Sequence, residues 1–144
     1  MSQQQLSATE PAAEATAAGT VGERFARALA AKDSDGLRAV LADPIDFQAL
    51  TPRRHWQATS PAEVIDDIVL GTWFDPNDDI QGLVTVKTGE LPSREHVSYM
   101  LRVRCPDGDY LVEQHAYYNA EGGRINWMRV LCSGFQKVSP GGAT

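Results

Sequence analysis

Apolar and polar positions alternate with a period of two along most of the second half of the chain. Three such runs stand out, Glu95 to Cys105, Asp109 to Asn119 and Arg124 to Gln136. They are rich in β-branched and aromatic residues and are parted by the turn clusters Pro106-Asp107-Gly108 and Ala120-Glu121-Gly122-Gly123. That pattern predicts an antiparallel meander. Ile80 to Thr88 adds a strand before it, closed by a Gly89–Pro92 turn. Upstream the period changes to that of helices. Thr20 and Glu23 form a capping box, with Phe25, Ala28 and Leu29 on one face. Lys32 to Gly36 interrupts this helix. A second, short helix carries Leu37, Val40 and Leu41 and stops at Asp43-Pro44. Ile45, Phe47 and Ala49 alternate with Asp46 and Gln48 as a strand, and Thr51 to Trp56 reads as a polar loop. Ser60-Pro61-Ala62-Glu63 then supplies an N-cap, a proline at the first helical position and a capping glutamate. Val64, Ile65, Ile68 and Val69 form the apolar stripe of the helix that follows, which Asp75-Pro76-Asn77 ends.

A meander this apolar needs cover on one face, and the upstream helices are the only segments able to give it. The expected fold is therefore α+β: three N-terminal helices packed on a curved antiparallel sheet, with a pocket between the layers. Residues 1–19 are rich in Ala, Gln, Thr, Ser and Glu and lack apolar periodicity, so they are expected to be a disordered tail, as are residues 139–144. One domain over 20–138 remains.

The length of 144 residues suits a single core. A net charge of −6 without any Lys/Arg block argues against nucleic acid and against anionic membrane surfaces. No apolar run reaches the roughly 20 residues of a membrane span, and the N-terminus has neither the basic nor the apolar region of a secretory signal. A cytoplasmic location is the expectation. Cys105 and Cys132 each fall within a strand and are expected to be reduced and buried, a disulfide requiring the two strands to be adjacent with facing side chains, and no C-x-x-C or other metal-ligand spacing exists. No metal or cofactor is expected.

The turn between the first two meander strands sets which side chains face the pocket. A three-residue loop with Gly108 in the left-handed position places Cys105 opposite Asp109, Tyr99 opposite His115 and Val97 opposite Tyr117. Val97, Tyr99, Leu101 and Val103 then share the inner face with Glu113, His115 and Tyr117, leaving Ser98, Arg102 and Arg104 outside, a polarity split that favours this register. A two-residue loop shifts every partner by one. Under the first register His115 is the leading catalytic candidate, an imidazole able to exchange protons near neutral pH. Tyr99 and Tyr117 beside it either donate to a substrate carbonyl or form plain pocket wall, and the alternative for His115 itself is a buried histidine satisfied by a tyrosine hydroxyl. Glu113 either pairs with His115 at the rim or stands as a solvated edge carboxylate, and Trp56 either covers the pocket mouth from its loop or plugs the core.

The helix pair ending Leu41-Ala42-Asp43-Pro44, the helix opening at Ser60-Pro61-Ala62-Glu63 and the hairpin Tyr117-Tyr118-Asn119-Ala120-Glu121-Gly122-Gly123-Arg124-Ile125 together resemble the nuclear transport factor two-like superfamily, SnoaL-like branch. The resemblance covers Val21 to about Val138. It implies a cystatin/nuclear transport factor two-like cone around a deep pocket, on a scaffold that hosts isomerases, cyclases, hydrolases and non-catalytic binders. By position it puts His115 where ketosteroid isomerase-like members carry a pocket acid, and Met128, Val130 and Cys132 on the pocket wall. Phe25 replaces their oxyanion tyrosine and Ala49 their carboxylate base, so their proton shuttle does not transfer, nor does the Asp-Arg-Asp set of the epoxide hydrolase-like branch.

Two functions follow. The first is a pocket for an apolar or aromatic small molecule, with Phe25, Phe47, Trp56, Glu113, Met128, Val130 and Cys132 as ligand contacts. In it His115, Tyr117 and Tyr99 would carry cofactor-independent isomerisation, cyclisation or hydration. The second is a non-catalytic ligand-binding or dimeric scaffold module. Tyr118, Trp127 and Leu131, expected on the outer sheet face, make a homodimer through the sheet the expected assembly.

Overall fold

A computed structural model describes residues 19–138. The expectations for the two tails lie outside the described residues, except at Gly19. Helix α1 spans Val21–Ala30, and the Thr20 hydroxyl accepts the Glu23 N–H at 3.1 Å. Phe25, Ala26 and Leu29 form its buried face. Helix α2, Ser34–Ala39, is capped by Asp33, whose carboxylate accepts the Gly36 N–H.

Here the structure departs from the sequence-based boundary. Leu41 does not extend α2 but opens strand β1, Leu41–Thr51. The reason is long-range: the Ile125 N–H donates to the Val40 carbonyl at 2.8 Å, and the Arg124 guanidinium donates to the carbonyls of Arg38 and Leu41. Orphan carbonyls at the helix end are thus met by the far end of the chain.

Strand β1 turns at Pro52-Arg53 into β2, Arg54–Ala58, with Arg53 at φ 71°. The stretch expected as a polar loop is therefore a hairpin, and Trp56 is a buried strand residue rather than a lid. Helix α3, Glu63–Trp73, starts as expected: Ser60 Oγ accepts the Glu63 N–H, and Glu63 reaches back to the Thr59 N–H. Its turns, however, are of the wide π type, and it ends with the Phe74 N–H on the Val69 carbonyl five residues back. Such a helix is rare and lies close to sites of function more often than chance.

The remaining strands are β3 (Asp79–Leu91), β4 (Arg94–Cys105), β5 (Gly108–Glu121), β6 (Arg124–Cys132) and the short β7 (Gln136–Lys137). The sheet order is β2-β1-β6-β5-β4-β3, with β7 paired to the start of β5. All pairs are antiparallel except β1 with β6. The sheet is therefore mixed rather than antiparallel, and the third helix follows a strand as the sequence order implied, with the expected loop before it completing a hairpin. Irregularities at Ile80/Gly82, Leu83/Thr85 and Asn119/Ala120 bend the long strands. Gly122 and Gly123, at φ 62° and 81°, make the two-residue turn that joins β5 to β6.

The β4–β5 register is the second correction. Cys105 pairs with Gly108, Tyr99 with Gln114 and Ser98 with His115, the two-residue-loop alternative. Val97, Tyr99, Leu101 and Val103 are buried on the inner face and Arg102 and Arg104 exposed, whereas Ser98, expected outside with them, is buried. The phase of β4 was thus readable, whereas that of β5 hung on the turn. Val112, Gln114, Ala116 and Tyr118 face inward; Glu113, His115 and Tyr117 face outward. Burying one amide costs less than burying a carboxylate and an imidazole, which is the physical preference behind this phase.

Candidate functional site

One row of side chains crosses the inner face. Tyr99 on β4 lies opposite Gln114 on β5, which lies opposite Cys132 on β6, and Thr51 closes the row on β1 beyond Leu50. The Tyr99 hydroxyl donates to Gln114 Oε1 at 2.5 Å. Burial drives the Tyr99 hydroxyl far above its ordinary pKa, with the neighbouring Cys132 adding to the rise, so it is a fixed neutral donor. It holds the Gln114 amide with Nε2 turned away from itself.

Above the row, where the end of α3 meets the sheet, lies a cavity of about 300 Å³ lined by Trp73, Phe74, Phe135, Gln114, Cys132 and Thr51, among others. Trp73 is set in place by aromatic contacts: Trp56 meets it edge-on at 6.1 Å between centroids, and Phe47 at 6.3 Å. Trp56 is itself tied by its indole N–H to Thr51 Oγ1 at 2.8 Å. Phe135 packs against Phe74 across the mouth. The chain reaches that position through Gly134 at φ 79°, where an added Cβ would come within 2.7 Å of Pro52 in the β1–β2 turn.

Two buried donors at this cavity have no partner: Trp73 Nε1 and Gln114 Nε2. Each unmet donor costs on the order of 1–3 kcal/mol. An acceptor brought within reach of either would recover part of that cost. Among the described residues, those lining the cavity include no carboxylate and no imidazole, and the one ionisable group is Cys132.

The sequence-derived candidates separate accordingly. Tyr99 and Cys132 belong to the row, while Phe25, Phe47, Trp56, Met128 and Val130 point into the core around it. His115, Tyr117 and Glu113 lie on the opposite face, with His115 Nε2 3.4 Å from Glu113 Oε2 and both side chains about half exposed. Tyr118, expected outside, is fully buried. It accepts the Gly22 N–H at 2.9 Å and donates to Glu95 at 2.8 Å. Gln114 and Trp73 were not singled out from the sequence. The usable signal was the charge of Glu113: with it outside, Gln114 becomes the sole polar side chain on the inner phase of the central part of β5. Among the described residues no cluster of three metal-ligating side chains occurs.

The architecture has counterparts among solved structures. An NTF2-like protein from Burkholderia thailandensis superposes with a TM-score of 0.59 at 11% identity, over 78% of this chain and 88% of that one. The fold is NTF2-like. An M. tuberculosis LEH-like epoxide hydrolase matches at TM-score 0.58 and 12% identity, covering 78% of this chain and 80% of its own. A candidate polyketide cyclase from Xanthomonas campestris pv. campestris matches at 0.60 and 13%, over 77% and 86%. No family model and no curated protein matches the sequence. The NTF2-like fold is thus preserved here at identities that carry no particular chemistry.

Proposed function

We propose that this NTF2-like chain binds an apolar small molecule carrying a hydrogen-bond acceptor in the cavity beneath α3. The observation that supports this best is the pair of unpartnered donors, Trp73 Nε1 and Gln114 Nε2, at an otherwise apolar pocket. Proteins of this fold named for cyclisation and epoxide hydrolysis make a small-molecule ligand the natural reading. The absence of a carboxylate or imidazole from the lining favours binding over the acid–base isomerisation, cyclisation or hydration considered from sequence.

Cyclohexanone, an apolar ketone that fits the cavity, provides the test. Its addition should move the indole N–H resonance of Trp73 and the side-chain amide of Gln114 while leaving that of Trp127, on the outer face, unchanged. Absence of any shift at millimolar ketone would reject the pocket. We further propose that the outer sheet face pairs two copies of the chain. Leu50, Tyr117 and Leu131 are 52%, 46% and 60% exposed there, an apolar stripe that water meets at a cost.

A further inference from the structure

We infer that the cavity captures α,β-unsaturated carbonyl compounds by addition of the Cys132 thiol, an inference that rests on the pocket reading above. Cys132 lines the cavity and is the direct cross-strand partner of Gln114, so their Cβ atoms stand about 5 Å apart on one face. Gln114 is 0% exposed and Trp73 7% exposed, and each keeps one N–H without a partner. Both donor residues and Cys132 line the same cavity, so a short conjugated ligand whose oxygen engages either donor would lie beside the sulfur. The Gly134 N–H already donates to Cys132 Sγ at 3.3 Å, a donor in place as the sulfur gives up its proton.

The step balances without any oxidant or reductant. A sulfur electron pair forms the S–C bond to the β carbon. The C=C π pair moves toward the carbonyl as an enolate, whose oxygen the Gln114 or Trp73 N–H group holds. The thiol proton passes through water at the open mouth and ends on the α carbon. The product is a saturated ketone joined to Cys132 as a thioether. The second cysteine is an internal control. Cys105 is not part of the cavity, and burial, with Asp78 adding to it, pushes its thiol up to about 12, so it stays protonated near neutral pH.

The experiment compares cyclohexenone with cyclohexanone, which differ by the double bond alone. Incubation with cyclohexenone should add one equivalent of mass to the intact protein, mapped to Cys132 by peptide sequencing and lost in Cys132→Ser. The rate should saturate with enone concentration. Trp73→Phe, Gln114→Met or both should lower it by about tenfold relative to the same variant's rate with iodoacetamide, the effect of losing one hydrogen bond to a developing oxyanion. Normalising to iodoacetamide removes general changes in thiol exposure, and a thermal melt confirms that each variant is folded. Modification of Cys105, a rate linear in enone, or an unchanged ratio in both variants would overturn the inference. If cyclohexanone shifts the Trp73 and Gln114 resonances and cyclohexenone leaves Cys132 unmodified, thiol capture falls and the pocket stands. If neither ketone is bound, both fall.

Discussion

Individual side chains fix the relation of helix to sheet in this protein. Tyr118 is buried with its hydroxyl between the Gly22 N–H and Glu95, and burial, reinforced by the bond to Glu95, pushes its pKa up to about 12. An added Cβ at Gly22 would lie 2.7 Å from the tyrosine ring and hydroxyl. Gly22→Ala should therefore destabilise by about 1–3 kcal/mol through overpacking, and Tyr118→Phe by about 1–2 kcal/mol through two lost hydrogen bonds. Because both act on one contact, the double variant should lose less than the sum in urea melts. Additive losses would show that the contact is not shared.

On the opposite face His96 sits 5.0 Å from the Tyr117 ring and 5.8 Å from that of His115. Partial burial lowers its pKa below 6.5, and the charge of His115 lowers it further. The unfolded chain then binds the proton more readily than the folded one, so the folded state loses stability as pH falls from about 6.5 through the depressed value. Melting temperature should be flat from pH 8 to about 7 and decline below, and His96→Gln should flatten that decline. An unaltered slope in the variant would assign the effect elsewhere.

Helix α3 is the element on which the site depends, since it delivers Trp73. Its wide turns bring the Gly71 backbone so close to Asp66 that an added Cβ would overlap the Asp66 carbonyl oxygen. Gly71→Ala should consequently shift α3 toward ordinary helical winding and rotate Trp73 out of its contact with Trp56. Near-ultraviolet circular dichroism of the coupled indoles reads this directly, with loss of signal expected and retention arguing against the mechanism. Much of the element level was legible in the sequence. The Thr20 and Ser60 caps and the alternation of β4 are local, and each appears where the pattern put it. What was not legible depended on distant partners. The early end of α2 is dictated by Arg124 and Ile125, and the wide winding of α3 leaves no periodic signature distinct from an α-helix over eleven residues. The phase of β5 was misjudged because it followed from the turn length, and with it Gln114, the residue that defines the candidate site, was missed.

At the scale of the molecule, one sheet face is covered by helices and the other carries Leu50, Tyr117 and Leu131 among Gln48, His115 and Arg129. A homodimer through that face should appear as twice the chain mass in light scattering at low micromolar protein, and Leu131→Asp should return it to monomer. A monomer in the parent protein would sink the assembly proposal. Among the described residues no helix is long and apolar enough to cross a membrane.

The parallel pairing of β1 with β6 has a bearing on how the chain is made. β1 lies between β2 and β6, so one edge of it has no partner until the last long strand exists. During synthesis the N-terminal helices and first hairpin emerge from the ribosome well before Arg124 and Ile125, the residues that finish the end of α2 and the start of β1. Vectorial folding cannot complete the inner face in pieces: closure waits for nearly the whole domain, and an exposed strand edge must be kept from other nascent chains until then.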